Sequence, residues 1–151
     1  RSTLFPYTTL FRSARLEVGG GTALEFVDWL ASQSDVVHGK HATDGQIATA
    51  ESELGVTFAD EYRAYLRSFG SAIVGSHELS GISAAKHVDV VRMTAQERTC
   101  NPQVPPELYV LENVGIDGLI VWQDGSGKVY QSLPGAPPSL IARSILEYLN
   151  R

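Results

Sequence analysis

The chain of 151 residues carries 12 lysines and arginines against 17 aspartates and glutamates, which gives a formal net charge of −5. Its length predicts one domain, because domains usually contain roughly 100–200 residues, and its 43% of hydrophobic residues is typical of a globular protein. The acidic balance excludes the basic surface that a nucleic-acid-binding protein needs, so we expect no direct contact with nucleic acid.

The first thirteen residues, RSTLFPYTTLFRS, differ in composition from the rest of the chain. They include no acidic residue and show no helical period of apolar residues. All thirteen positions resemble the translation of a common short-read sequencing adapter. We interpret residues 1–13 as an adapter-derived artefact and residues 14–151 as a single domain, whose net charge without Arg1 and Arg12 is −7. The alternative is a natural apolar N-terminal strand.

A helix and a loop are predicted in residues 14–42. Thr22 and Glu25 have the spacing of a capping box at the start of the helix. The apolar stripe that follows recurs at helical spacing and consists of Leu24, Phe26, Val27, Leu30 and Ala31. Residues 32–41 lose this period and are predicted to form a loop.

Two further helices follow, and both have clear ends. The second is predicted to begin at Thr43 or Asp44 and to end before Gly55, because glycine readily takes the left-handed conformation of a helix C-cap. The third begins at residue 59 or 60 and ends before Gly70. Its aromatic residues have the spacing of a buried helix face, which we favour over a ligand-binding cage: Phe58, Tyr62, Tyr65 and Phe69.

The second half of the chain consists of short apolar segments separated by glycine and proline. Such segments lie at residues 72–74 and 79–82, and strands are predicted at residues 109–111, 119–123 and 128–131. Residues 88–93 are rich in valine, and residues 94–98 are predicted to form one capped helical turn. The sequence DGSG at residues 124–127 predicts a hairpin turn rather than a phosphate-binding loop, because a strand and not a helix follows Lys128.

The end of the chain predicts a last helix that opens at Ser139. Its core face carries Leu140, Ile141, Ile145, Leu146, Tyr148 and Leu149. The order of the elements predicts an α+β fold, in which N-terminal helices and a C-terminal helix pack around a mainly antiparallel β-sheet meander.

Histidines and cysteines lack the spacing of a metal site. His38 and His41 lie three apart, but no second pair of ligands accompanies them, and His77 and His87 stand alone. Cys100 is the only cysteine, so neither an intramolecular disulfide nor a CxxC zinc site is possible. A single thiol suits a reducing cytoplasm, where we expect the protein to act.

Catalytic and membrane motifs are also missing from the sequence. No serine or cysteine stands in the frame of a nucleophile with its base, and the neighbouring carboxylates at residues 60–61 and at 51 and 53 are expected to be solvated. No segment approaches the roughly 18–20 apolar residues that cross a bilayer. We therefore expect no enzyme activity, no cofactor, no metal and no membrane contact.

The segment LGVTFADEYRAYLRSFG at residues 54–70 resembles a motif of the SUKH superfamily, the Smi/Knr-type proteins of bacterial toxin–immunity systems and fungal cell-wall regulation. Later segments agree with the same family: Asp124 with the GKVY of residues 127–130, and the closing SILEYL of residues 144–149. The resemblance spans about residues 43–150. Ala59 departs from it, because many members have proline at that position.

The resemblance implies an α+β fold without catalysis, and it implies a function. Bacterial members are typically immunity proteins, which bind a cognate toxin, often a nuclease or a nucleotide-modifying enzyme, and occlude its active site or an adjacent surface. Alternatives are a regulatory interaction module of the same fold, and a small-molecule-binding domain or weak enzyme with a deep polar pocket.

An immunity role predicts a protein toxin with a basic surface as the partner. A charge of −7 would steer the chain towards such a surface and would speed association. Candidate partner-binding residues lie on the meander: His77, Glu78, Glu112, Asp117, Trp122, Asp124, Tyr130 and Gln131. Alternation along residues 119–123 leaves open whether Trp122 faces the partner or the core, and the carboxylates are also consistent with plain solvated side chains.

Overall fold

A computed structural model describes residues 23–151, so the expectations for residues 1–13 and for the cap at Thr22 lie outside the described residues. The helices of this part of the chain are α1 (Ala23–Ser32), α2 (Asp44–Leu54), α3 (Asp60–Phe69), α4 (Val90–Cys100) and α5 (Ile145–Leu149). Its strands are β1 (Val37–His38), β2 (Ala72–Val74), β3 (His77–Leu79), β4 (Tyr109–Asn113), β5 (Ile120–Gln123), β6 (Val129–Ser132) and β7 (Ser139–Ala142).

The seven strands form one antiparallel sheet in which every strand pairs with its neighbours along the chain, in the order β1 to β7. Trp122 of β5 lies opposite Val110 of β4 and opposite Tyr130 of β6. A β-bulge follows Val110, and the register resumes where Glu112 pairs with Val121. The predicted α+β fold with an antiparallel meander is confirmed.

The sheet separates two hydrophobic clusters. On one side, which we call the helix side, Tyr109, Leu111 and Val121 pack with buried residues of the helices around the sheet. On the other, which we call the outer side, a smaller cluster is covered by α4 and the loop after it and contains Val104, Leu108, Val110, Ile120 and Trp122. Successive residues of a strand point to opposite faces, so Val121 and Trp122 are buried in different clusters.

The predicted ends of α2 and α3 are confirmed. Thr43 caps α2 by accepting a hydrogen bond from the backbone N–H of Gln46, whose side chain accepts one from the N–H of Thr43. Gly55 ends α2 in the left-handed conformation, with φ of 67°. Phe58, Tyr62 and Tyr65 are buried in the helix-side cluster, as the helical spacing predicts.

Two expectations for helix and loop boundaries are wrong. The loop at residues 32–41 contains strand β1, because Val37 and His38 pair with Ile73 and Ala72 of β2. The valine-rich segment is the first turn of α4, which has three turns rather than one. The side chain of Asp89 caps this helix by accepting from the N–H of Arg92.

The start of the last helix is also corrected, because residues 139–142 form strand β7. Leu140 pairs with Tyr130 of β6, so this segment extends the sheet. The helix begins only after Ser144, whose hydroxyl accepts a hydrogen bond from the N–H of Glu147. Strand β3 likewise begins earlier than expected, at His77, and ends at Leu79.

Candidate functional site

The sheet distributes the eight predicted partner-binding residues over separate surfaces. His77, Glu112 and Gln131 belong to the helix side, since Glu112 and Gln131 both pair with Val121. The opposite side carries Glu78, Trp122 and Tyr130, and the turns after β4 and β5 carry Asp117 and Asp124. The set therefore forms no single continuous patch.

Glu112 joins His77 to the C-terminal helix. Its Oε1 lies 3.0 Å from His77 Nδ1 and accepts a 2.6 Å hydrogen bond from the hydroxyl of Tyr148, while its Oε2 accepts one from the N–H of Glu78. Burial, together with the bond to the Glu112 carboxylate, raises the pKa of Tyr148 far above its usual range. This cluster holds the imidazole of His77 in place at the edge of β3.

A histidine that is hydrogen-bonded to a carboxylate resembles the base and the acid of a catalytic triad, but a bonded nucleophile is not found beside it among residues 23–151. Within residues 23–151, no hydroxyl or thiol forms a hydrogen bond with the imidazole of His77. A base without a bonded nucleophile lacks the arrangement that activates serine or cysteine. The His77–Glu112 pair is therefore better explained as a positioning contact between β3, β4 and α5.

Trp122 and Glu112 are both buried, and for Trp122 this decides between the two orientations that the sequence left open in favour of the core. Trp122 is 0% exposed in the outer cluster, and its indole N–H donates a 2.9 Å hydrogen bond to the hydroxyl of Ser132. Glu112 is 4% exposed, since α5 covers it from the helix side. Neither side chain is accessible at the surface in this conformation.

Asp124 organises the hairpin turn that its sequence predicts. Its Oδ1 accepts hydrogen bonds from the N–H groups of Ser126 and Lys128, and its Oδ2 accepts a 2.9 Å bond from the hydroxyl of Tyr130. Burial alone would raise the pKa of Asp124, but the hydrogen bonds outweigh it, and the pKa is lowered. Asp124 and half-buried Tyr130 are thus engaged with each other in shaping the turn.

Glu61 is buried, whereas its position beside Asp60 on a helix predicts a solvated carboxylate. Its Oε2 accepts hydrogen bonds from the side-chain amide of Gln123 and from the N–H of Ile145. Burial raises the pKa of Glu61 to about 7, although both bonds act to lower it. The available signal was its spacing, because Glu61 lies four residues before buried Tyr65 on the same helix face.

The remaining neighbouring carboxylates differ in exposure. Asp60 is solvated as expected, with 89% of its side chain exposed. Glu51 is only 17% exposed, because it pairs with Arg63 at 2.7 Å and accepts a hydrogen bond from the N–H of Phe58. Glu51 therefore connects α2 to α3 and to the loop between them.

No cofactor or metal site stands out in the part of the chain that the structure describes. Residues 23–151 contain no group of three histidine, cysteine, aspartate or glutamate side chains placed to hold a metal ion. A groove of about 680 Å³ runs between α2 and α4, and its lining includes Ala50, Glu53, Asp89, Val91 and Arg92. None of the helices here is long and apolar enough to cross a membrane.

Comparison with models of protein families shows which family the chain belongs to. The model of the SUKH_5 family, described as SMI1-KNR4 cell-wall, matches residues 24–150. The chain belongs to this SMI1-KNR4 family. The family match begins at residue 24 and therefore includes α1 and the segment after it, which lie mostly outside the motifs visible in the sequence.

A solved structure agrees with the SMI1-KNR4 fold. A crystal structure of a protein from Pseudomonas syringae pv. tomato superposes with a TM-score of 0.66 and covers 84% of this chain and 95% of its own. The two sequences are 15% identical, so the likeness concerns the fold alone. No curated protein matches the chain.

Proposed function

We propose that this member of the SMI1-KNR4 family is an immunity protein, which binds a cognate protein toxin and neutralises it. The observation that carries the proposal is the family match over residues 24–150. It supports the resemblance to the SUKH superfamily, whose bacterial members are typically immunity proteins. The toxin is a polymorphic, contact-delivered protein, and a nuclease is one candidate. The immunity protein acts in the cytoplasm of the cell that makes it.

Neutralisation would proceed by occlusion, without chemistry performed by this chain. A nuclease carries a basic surface for phosphate, and an acidic partner that covers this surface excludes the nucleic acid. The net charge of −5, or −7 without residues 1–13, supports fast association with such a surface. Of the candidate residues, Glu78 and Asp117 are exposed carboxylates that remain accessible for this contact.

Co-expression with the product of the adjacent gene tests the proposal. We expect that product to arrest growth alone, and this chain to restore growth and to copurify with it in a defined ratio. A variant with two exposed acids neutralised, Glu78→Gln and Asp117→Asn, tests the contribution of charge and should associate more slowly at low salt. Absence of both rescue and binding by the unmodified chain would overturn the proposal.

The family description supports a second candidate function, because it names the cell wall. In this alternative the chain is a non-catalytic regulatory module that binds several proteins of its own cell. Affinity purification from the native host separates the two functions. A toxin as the partner supports immunity, whereas several housekeeping proteins support the regulatory module.

A further inference from the structure

Two loops meet at one end of the sheet. Because neighbouring strands alternate in direction, the loop of residues 114–119 after β4 and the loop of residues 133–138 after β6 leave the sheet at the same end. They touch each other, since a Cβ added to Gly118 would lie 2.7 Å from Cγ of Pro134. We call these two loops the tip.

The tip carries two of the most exposed large apolar side chains among the described residues. Ile116 is 63% exposed and Leu133 is 53% exposed. Scattered single apolar residues on a surface need no explanation, but here one stands on each of two touching loops. The tip is therefore a candidate for a contact that excludes water.

The backbone holds Ile116 in a defined position. Gly115, Asp117 and Gly118 all have positive φ, at 78°, 54° and 71°. The turn is closed by a hydrogen bond from the N–H of Leu119 to the carbonyl of Ile116, at 2.9 Å. The closed turn presents the side chain of Ile116 to solvent at the end of the sheet.

The tip is negatively charged. Asp117 is exposed beside Ile116, and among residues 23–151 no cation lies within 4.0 Å of its carboxylate. Neither loop of the tip contains lysine, arginine or histidine. A complementary surface would therefore combine an apolar depression with a lysine or arginine at its rim.

We propose that the tip is the part of this chain that contacts the toxin. Ile116 and Leu133 are the apolar anchors, and Asp117 pairs with a basic residue at the rim of the surface that receives them. This inference rests on the proposed immunity function and adds the docking surface to it. It moves the centre of the contact from the faces of the meander, where Trp122 and Glu112 are buried, to the end of the sheet.

Binding of the purified product of the adjacent gene to single variants tests the docking surface. We expect Ile116→Ser and Leu133→Ser each to weaken the complex by about tenfold or more, as truncation of an interface anchor does. Matched controls are Val37→Ser and Leu140→Ser, which alter equally exposed apolar residues in the edge strands and should change affinity less than about twofold. Denaturant unfolding of all four variants checks that each is folded.

Asp117→Asn tests the charge separately, because asparagine tolerates the left-handed backbone at this position. We expect slower association and a weaker dependence of the association rate on salt, with little change in dissociation.

Three results would overturn the docking surface. If the unmodified chain binds and the tip variants bind equally well, the tip is wrong and the immunity function stands. If the unmodified chain fails to bind, both proposals fail. If sedimentation shows a dimer that Ile116→Ser converts to a monomer, the tip is a contact between copies of this chain.

Discussion

The carboxylate of Glu61 in α3 accepts a 2.7 Å hydrogen bond from the side-chain amide of Gln123 in β5, and both residues are buried. Glu61 Oε2 also accepts the N–H of Ile145 at the start of α5. Gln123 in turn accepts a hydrogen bond from the hydroxyl of Tyr109 in β4. One carboxylate therefore links α3 and α5 to the centre of the sheet. Along the chain, Glu61 is 62 residues from Gln123 and 84 residues from Ile145.

Glu61 makes stability depend on pH. Its pKa is about 7 in the folded chain and 4.5 in the reference state, so between these pH values the folded state binds more protons than the unfolded state. The stabilisation is complete below about pH 4.5 and is lost as the pH rises through 7, by up to about 3 kcal/mol. We expect Glu61→Gln to remove this part of the slope in denaturant unfolding, whereas Asp60→Asn at the exposed neighbour keeps it.

Asp124 has the opposite effect on the pH dependence of stability. Its pKa is lowered in the folded chain, so its contribution to stability is present above the ordinary pKa of 3.8 and is lost as the pH falls through the lowered value. Asp124→Ala leaves the N–H groups of Ser126 and Lys128 without their acceptor and should lower the free energy of unfolding by about 1–2 kcal/mol at neutral pH. Tyr130→Phe, which removes one bond only, should cost less, and an equal cost would contradict the turn as the cause.

The backbone at Gly81 lies so close to the backbone of Gly70 and Ser71 that no side chain fits there. A Cβ at this position would collide with the carbonyl of Gly70 and would lie 2.8 Å from Cα of Ser71. Backbone cannot move aside as a flexible side chain can, so we expect Gly81→Ala to cost about 3 kcal/mol or more in thermal or denaturant unfolding. Gly45→Ala, where the nearest atom would be 3.8 Å away, is the control and should be neutral or stabilising by up to about 1 kcal/mol, because Gly45 lies in the first turn of α2.

Because Trp122 is buried, its substitution should lower the free energy of unfolding without changing affinity for the toxin. Trp122→Ala opens a cavity in the outer cluster and leaves the hydroxyl of Ser132 without its donor, so the free energy of unfolding should fall by about 3–5 kcal/mol. Trp122→Phe should cost less and, under conditions where it is folded, should bind the toxin as the unmodified chain does. Loss of affinity in a fully folded Trp122→Phe would place this residue at the contact.

Local signals in the sequence were sufficient for α2 and α3. The two ends of α2 are set by nearby residues, Thr43 and Gln46 at its start and Gly55 at its end. Because these residues act within one or two turns of the helix, the position of each end can be predicted without the rest of the chain. The pairing of β4 with β5 and of β5 with β6 followed from the short turns between them, because a hairpin brings consecutive strands side by side. For these reasons the α+β meander could be predicted from the sequence.

Elements without such signals were assigned incorrectly. Leu140 and Ile141 fit a helix face as well as a buried strand, and only pairing with β6 makes this segment strand β7. Valine has a high strand propensity, yet Val90 and Val91 lie in α4 because Asp89 caps the helix and its inner face is buried. The burial of Glu61 needed partners that are distant in sequence, and so did the separation of the candidate site over two faces.

The sequence by itself determined the family, the α+β class, the acidic charge and the ends of α2 and α3, since each of these depends on composition or on neighbouring residues. The tertiary structure decided which side chains remain accessible. Alternation along a strand produces two faces, but packing of α4 and α5 on the sheet decided that Trp122 and Glu112 are interior. The antiparallel order of the strands placed the loops of Ile116 and Leu133 at one end of the sheet, and packing of Pro134 against Gly118 brought these loops into contact.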